Sequence, residues 1–170
     1  MLSHAHPELQ RAQYVVFADA SRRYVDCSDG VCGLLGYSRA EMLQKTIDEV
    51  SYNTSEVPTL FAQYLKTGKH EGEYVLRRKD RTPVLIRYQA FVFSDGCKAA
   101  IWEPVRDWRE PYLAALLELD AAKLKRKIEI AMAAIQQARQ SQDPASQTGK
   151  AQQEIADALS ALNSLRRNVR

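Results

Sequence analysis

No aromatic residue follows Tyr112, no histidine follows His70, and no apolar run approaches the ~18 residues that a membrane helix needs. The first absence divides the chain. All 14 aromatics lie in residues 1–112, whereas residues 113–170 hold 13 Ala and 7 Gln. The second absence leaves the tail without an imidazole nucleophile, so phosphoryl transfer through histidine has no acceptor there. The third points to a cytoplasmic protein, because the N-terminus MLSHAHPELQ also lacks the charged start and apolar middle of a secretion signal. Cysteine is scarce. Cys27, Cys32 and Cys97 are odd in number and read as free thiols of a reducing compartment. Cys32 is expected to pack and Cys27 to reach the surface. Their x4 spacing is not a zinc motif, and His4 and His6 have no third ligand in view, so no metal is expected. Net charge is only +3, from 24 basic against 21 acidic side chains, which gives no argument for nucleic acid. Nucleophile-elbow, phosphate-loop and dinucleotide glycine motifs are absent too, so no enzyme is expected.

What is present falls into an ordered series. Residues 1–12 read as an N-terminal segment, with a short lead-in helix over 7–12. Gln13–Asp19 and Tyr24–Cys27 are short β-rich runs around a turn. Ser38-Arg39-Ala40-Glu41 is a capping box that opens a helix. Leu60, Phe61, Tyr64 and Leu65 fall on one face of a helix over about 56–67 that Gly68 ends. The pattern then changes to period two: Glu71–Lys79, Pro83–Phe93 and Cys97–Val105 read as three antiparallel strands. Two strands, a helical crossing and a three-stranded meander predict an α+β domain over 13–106: one five-stranded antiparallel sheet with helices on one face.

This order, with LLGYSRAEMLQK at 34–45 and TGKHEGEYVLRRKD at 67–80, resembles the PAS sensor domain. Leu35, Gly36, Tyr37, Ser38 and Glu41 match one family pattern, and the hairpin before Arg81 matches a second. Asp107-Trp108-Arg109-Glu110 is similar to the family's exit motif, with Trp and Arg in place of Ile and Thr. Arg81 stands where the family hairpin has Gly, and Ser28 or Asp29 where many members have Asn. The resemblance implies a sensory module without catalysis. It also implies no cofactor here: TIDEVSYN lacks the flavin-binding cysteine, and SEVPTLFAQYLKTG lacks an axial histidine for haem.

In such a fold the sheet and the long helix enclose a cavity. Strand alternation predicts a lining of Leu60, Phe61, Tyr64, Tyr74, Leu76, Ile86, Tyr88, Ala99 and Ile101, with the Tyr74 and Tyr88 hydroxyls as polar handles for a small ligand. The last strand is phased by placing Lys98 outward. The other face would then carry Leu85, Phe91, Phe93 and Trp102, which the N-terminal segment and a partner chain are expected to cover.

After a junction at 107–111, residues 112–170 read as an antiparallel helical hairpin with a loop at 141–149. Apolar residues at 117, 121, 124, 128, 131, 135 and 138, then at 151, 155, 158, 162, 165 and 169, alternate in steps of four and three. A hairpin core so rich in Ala is thin, so a homodimer is expected through Leu117, Leu124, Ile128, Ile135, Ile155, Leu162 and Leu165. Asp107, Trp108, Arg109 and Glu110 are the expected signal junction. The organisation is similar to the input half of a sensor histidine kinase without its phosphoacceptor. Three functions remain open: a signal-transduction protein that senses a small ligand or acts through protein–protein contact, a ligand-free dimeric adaptor, and a redox sensor through cysteine. No nucleic acid or membrane partner is expected, and the downstream partner is unspecified.

Overall fold

Residue 9, residues 11–140 and residues 148–168 are described by a computed structural model. His4, His6, most of the expected 141–149 loop and Val169 lie outside them, as does half of the expected lead-in helix over 7–12. Two compact units are present: residues up to 82 with 86–104, and residues 83–85 with those from 105 onward.

The first unit opens with β1 (Val15–Ala18) and β2 (Tyr24–Cys27). Short helices follow: α1 (Asp29–Leu35), α2 (Arg39–Met42) and α3 (Ile47–Val50). The capping box is formed as the sequence predicts: Ser38 Oγ accepts from the Glu41 N–H, and the Glu41 carboxylate accepts from the Ser38 N–H. Thr46 and Glu49 form a second one, which the sequence reading passed over. A 3-10 turn at Thr54–Glu56 leads into α4 (Val57–Thr67), and Gly68 ends it in the left-handed region at φ 73°. Then come β3 (Lys69–Arg77), β4 (Pro83–Val92) and β5 (Lys98–Pro104). The sheet order is β2-β1-β5-β4-β3, so β5 is central and the chain crosses from one edge to the other through the helices.

Arg81, in the glycine position of the β3–β4 turn, adopts φ 70°. The turn keeps its left-handed residue and accepts the steric cost of a Cβ there. Asp80 Oδ1 supports it by accepting from the Thr82 N–H at 2.9 Å and hydroxyl at 2.7 Å.

Glu41 also receives Lys79 Nζ, at 2.7 and 2.9 Å from its two oxygens. The Lys79 contact first, and the Ser38 N–H second, hold its carboxyl down at about 2. A carboxyl depressed on folding stabilises the native state fully above its ordinary value near 4.5, and loses that contribution as pH falls through about 2. In Lys79→Ala the Glu41 carboxyl should titrate well above 2 by carboxyl-carbon NMR, and the acid unfolding midpoint should move to higher pH. An unchanged Glu41 titration would refute the pairing.

One face of the sheet carries Val15, Phe17, Ala99 and Ile101. Leu9 and Ala12 of the N-terminal segment pack on it with Phe93 and Cys97. The N-terminal cover of this face is therefore supplied by the chain itself.

The second unit contains α5 (Arg109–Leu116), α6 (Ala121–Gln140) and α7 (Gly149–Asn168), packed on one another. The expected seam from Leu117 is broken. Asp120 caps α6, its carboxylate accepting from the Ala122 N–H at 2.9 Å and the Lys123 N–H at 3.2 Å. Leu117 therefore sits between two helices, 78% exposed. Lys127 Nζ, 2.7 Å from Glu118 Oε2, holds the Glu118 carboxyl down at about 2 and helps fix this turn. Within the same unit the Gln137 side chain spans two strand ends. It accepts from the Leu85 N–H at 2.9 Å and donates to Val105 O at 3.0 Å.

Candidate functional site

Residues directly paired across antiparallel strands share a sheet face. Ala90 pairs with Ala100, which pairs on its other side with Val16, and Tyr88 pairs with Trp102. The helix-covered face therefore has a floor of two adjacent alanines, flanked by large rings. Over that floor lies a cavity of about 120 Å³. Leu60, Phe61 and Tyr64 of α4 roof it at helical spacing, and Val57, Ile47 and Tyr24 close the side. Ala90 and Ala100 put only methyl groups on this part of the floor.

The polar groups around it are largely engaged. Tyr64 donates its hydroxyl to Phe91 O at 2.6 Å, and Tyr74 donates to Asn53 O at 2.6 Å. The Tyr88 hydroxyl and His70 Nδ1 are 2.8 Å apart, with the two rings stacked at 5.8 Å. Burial pushes the Tyr64 phenol above its ordinary range, and burial followed by the nearby Tyr74, Cys27 and Asp48 does the same to Tyr24. Both stay neutral donors at physiological pH.

Leu60, Phe61, Tyr64, Tyr74, Leu76, Ile86 and Tyr88 all line this cavity, and Ala99 borders it. Ile101 does not. The phase of β5 is shifted by one residue from the expected one: Lys98, Ala100 and Trp102 face the cavity, while Ala99 and Ile101 pack with Phe17 and Val15 on the opposite face. Trp102 is likewise inside, edge-on to Tyr24 with ring centroids 6.4 Å apart. The charge on Lys98 misleads because it stands at the strand end. Its stem follows the inner face while Nζ reaches out to Gly96 O at 3.1 Å. The sequence reading also missed His70, Tyr24 and Ala100, whereas the same alternation that places Ile86 and Tyr88 inward also places Ala90 there. Period-two alternation through Gly72 and Tyr74 was the available signal for His70.

The PAS domain family profile matches residues 13–103. The chain belongs to the PAS domain family. Its fold is that of solved PAS domains. One from Colwellia psychrerythraea superimposes with TM-score 0.53 at 16% identity, covering 61% of this chain and 96% of that one. The PAS domain of the fruit-fly ELK potassium channel gives 0.52 at 17% identity, covering 62% and 97%. One from a two-component sensor histidine kinase gives 0.52 at 11%, covering 61% and 96%. No curated protein matches the chain. PAS domains are sensor and signalling modules, and these likenesses cover the sheet and its helices, not the whole chain.

Outside the PAS cavity, Cys27 is buried and Cys32 half-exposed, the reverse of the expectation, because Cys27 ends the buried strand β2. Their sulfurs are 3.6 Å apart as free thiols. Burial, then the hydrogen bond with Cys32, pushes the Cys27 thiol up to about 12, which makes it a poor nucleophile at neutral pH. Among the described residues no group of three His, Cys, Asp or Glu is placed to hold a metal ion, and no helix is long and apolar enough to cross a membrane.

At the junction, Asp107 Oδ1 accepts from the Arg109 N–H at 3.0 Å, Arg109 lies over the Trp108 ring at 4.9 Å, and Arg109 Nη2 reaches Glu154 Oε2 at 2.5 Å. Glu110 and Pro111 follow in the first turn of α5. Of the expected dimer seam, Ile128, Ile135, Ile155 and Leu162 are buried within the single chain, and Leu124 and Leu165 are half-buried. Among the described residues of this unit the exposed large apolar side chains are instead Leu113, Leu116, Leu117 and Leu119.

Proposed function

We propose that this PAS protein is a non-catalytic sensor whose cavity takes a small molecule and whose C-terminal helices pass the response to a second copy of the chain. The observation that carries the reading is the void over Ala90 and Ala100. A space of about 120 Å³, partly open to solvent and lined mainly by apolar side chains, gives a small molecule both room and a way in. The route out is covalent. Ala100 and Trp102 on β5 line the cavity, and the same strand continues through Asp107–Glu110 into α5. A ligand that favours one packing of β5 would bias the helices by no more than its differential affinity. Self-association is supported by Leu113, Leu116, Leu117 and Leu119, large apolar side chains left exposed around the break between α5 and α6.

Native mass spectrometry tests both halves. The wild type is expected at twice the chain mass, and Leu117→Asp with Leu119→Asp at the single mass. A small molecule retained by the wild type should be lost in Ala100→Leu, whose longer side chain fills the void. A monomeric wild type overturns the dimer. A wild type without any retained or titratable small molecule overturns the sensor and leaves the adaptor reading, which the engaged Tyr64 and Tyr74 hydroxyls already favour.

A further inference from the structure

Two thiols meet at the start of the helical crossing, and neither lines the cavity. Cys27 ends β2, Ser28 caps α1, and one turn on the Cys32 N–H donates to Ser28 O at 3.4 Å. That turn carries Cys32 back over the strand end, where its sulfur lies 3.6 Å from the Cys27 sulfur. The backbone between them is held in place. Ser28 Oγ donates to Gln13 O at 2.8 Å and accepts from the Val15 N–H at 3.1 Å, and the Gly36 N–H donates to Cys32 O at 2.8 Å. A disulfide sets its sulfurs about 2 Å apart, so this pair has roughly 1.5 Å to close.

The two thiols are unequal. Cys27 is 4% exposed, and burial, then the contact with Cys32, holds its thiol up at about 12. Cys32 is half-exposed, so a reagent from solvent meets it first. Cys97 is half-exposed as well, but it packs with Leu9 and Phe17 on the opposite face of the sheet, apart from this pair.

We infer that Cys27 and Cys32 form a peroxide-reactive dithiol site, in which Cys32 meets the peroxide and Cys27 closes an intrachain disulfide. In the first step the Cys32 sulfur attacks one peroxide oxygen. The O–O bond breaks, the Cys32 proton leaves with the other oxygen as water, and Cys32 becomes a sulfenic acid. In the second step the Cys27 sulfur attacks the Cys32 sulfur. The S–O bond breaks, and the hydroxyl leaves with the Cys27 proton as water. Two thiols are oxidised by two electrons, and one peroxide is reduced to two waters. Cys27 is a slow nucleophile from solution, but a neighbour held at 3.6 Å reacts as if at very high local concentration. The bond formed ties α1 to the end of β2.

The test treats the full chain with hydrogen peroxide and maps its thiols by alkylation and peptide mass spectrometry. The tryptic peptide over 24–39 is expected to become lighter by two hydrogens, reversibly with dithiothreitol, at least about tenfold faster than Cys97 is oxidised. Unfolding the same protein in urea should remove most of that advantage, because the turn of α1 is then lost. Dimedone added with the peroxide should be captured on Cys32. In Cys32→Ser, Cys27 should be oxidised no faster than Cys97. No disulfide in the wild type, Cys97 reacting as fast as the pair, or Cys32 passing to sulfinic acid while Cys27 stays reduced overturns the site. Dimedone captured on Cys27 overturns the assigned order. None of these results bears on whether the cavity takes a ligand.

Discussion

Gly30→Ala is expected to destabilise the PAS domain by about 3 kcal/mol, against the preference of an isolated helix. Gly30 lies in α1, where alanine would ordinarily be favoured by about 1 kcal/mol. A Cβ at this position would stand 2.1 Å from Gln13 O and 3.1 Å from Gln13 C and Cγ. The obstacle is backbone, and it is pinned. Ser28 Oγ donates to Gln13 O at 2.8 Å and accepts from the Val15 N–H at 3.1 Å, while the Ser28 N–H donates to Val15 O at 2.9 Å. Moving Gln13 away from a methyl group would break this clip and tilt the entry to β1. Thermal unfolding followed by the near-ultraviolet signal should shift down by roughly 6–12 °C. The sign is decisive: a variant as stable as the wild type, or more stable, would show that helix propensity outweighs the close approach.

Arg39→Ala is the second large effect, expected to cost about 3 kcal/mol. Asp26 is 4% exposed, on the strand that also carries Tyr24 and Cys27. Its Oδ1 accepts from the Cys27 N–H at 2.8 Å and from Arg39 Nη2, and Arg39 Nη1 also donates to Cys27 O. Asp26 Oδ2 has no hydrogen-bond partner among the described residues. The carboxylate thus depends on one guanidinium for its neutralisation. Removing that partner strands a charge away from water, which is far costlier than losing a surface ion pair. Because the Arg39 side chain is itself 37% exposed, the low end of the 3–5 kcal/mol range applies. Urea unfolding of Arg39→Ala measures the loss. Adding Asp26→Asn should recover a substantial part of it, since the charge is then gone. If Arg39→Ala unfolds within about 0.5 kcal/mol of the wild type, the ion pair does not bear on stability.

Neither of these positions stands out in the linear sequence, and the reason is the same for both. Gly30 reads as one of three glycines in a short helix-and-loop stretch. Its constraint comes from a carbonyl 17 residues away in the chain, brought close only when β1 pairs with β2. Asp26 reads as an ordinary polar residue in an alternating strand, and Arg39 as a member of the capped turn after Ser38. Their meeting depends on α2 packing beside β2.

The helical tail shows how a periodic pattern can be genuine and still be misassigned. The steps of four and three from Ile128 onward do mark buried faces: Ile128, Ala131, Ile135 and Ala138 on α6, and Ile155, Ala158 and Leu162 on α7 are buried. The period reports that a face is covered, but not whether the cover is the same chain or another. The break before Ala121 was visible as Asp120 preceding an Ala-rich run, an N-cap signature that the uninterrupted spacing of Leu117 to Ala121 masked.

Local chemistry by itself determined the α+β order, the capping box at Ser38 and Glu41, the stop at Gly68, the phases of β3 and β4 and the aromatic boundary at Tyr112. Each depends on residues within a turn or on strict period-two alternation, so short-range sterics and hydrogen bonding decide them. Only the tertiary structure decided the phase of β5 and the meeting of Ala100 with Ala90 on the cavity floor. A cavity is the space that residues from separate strands and α4 fail to fill. Its floor depends on Ala90 facing Ala100 across two strands, and its rim on a lysine whose stem can follow one face while its charge leaves by the edge.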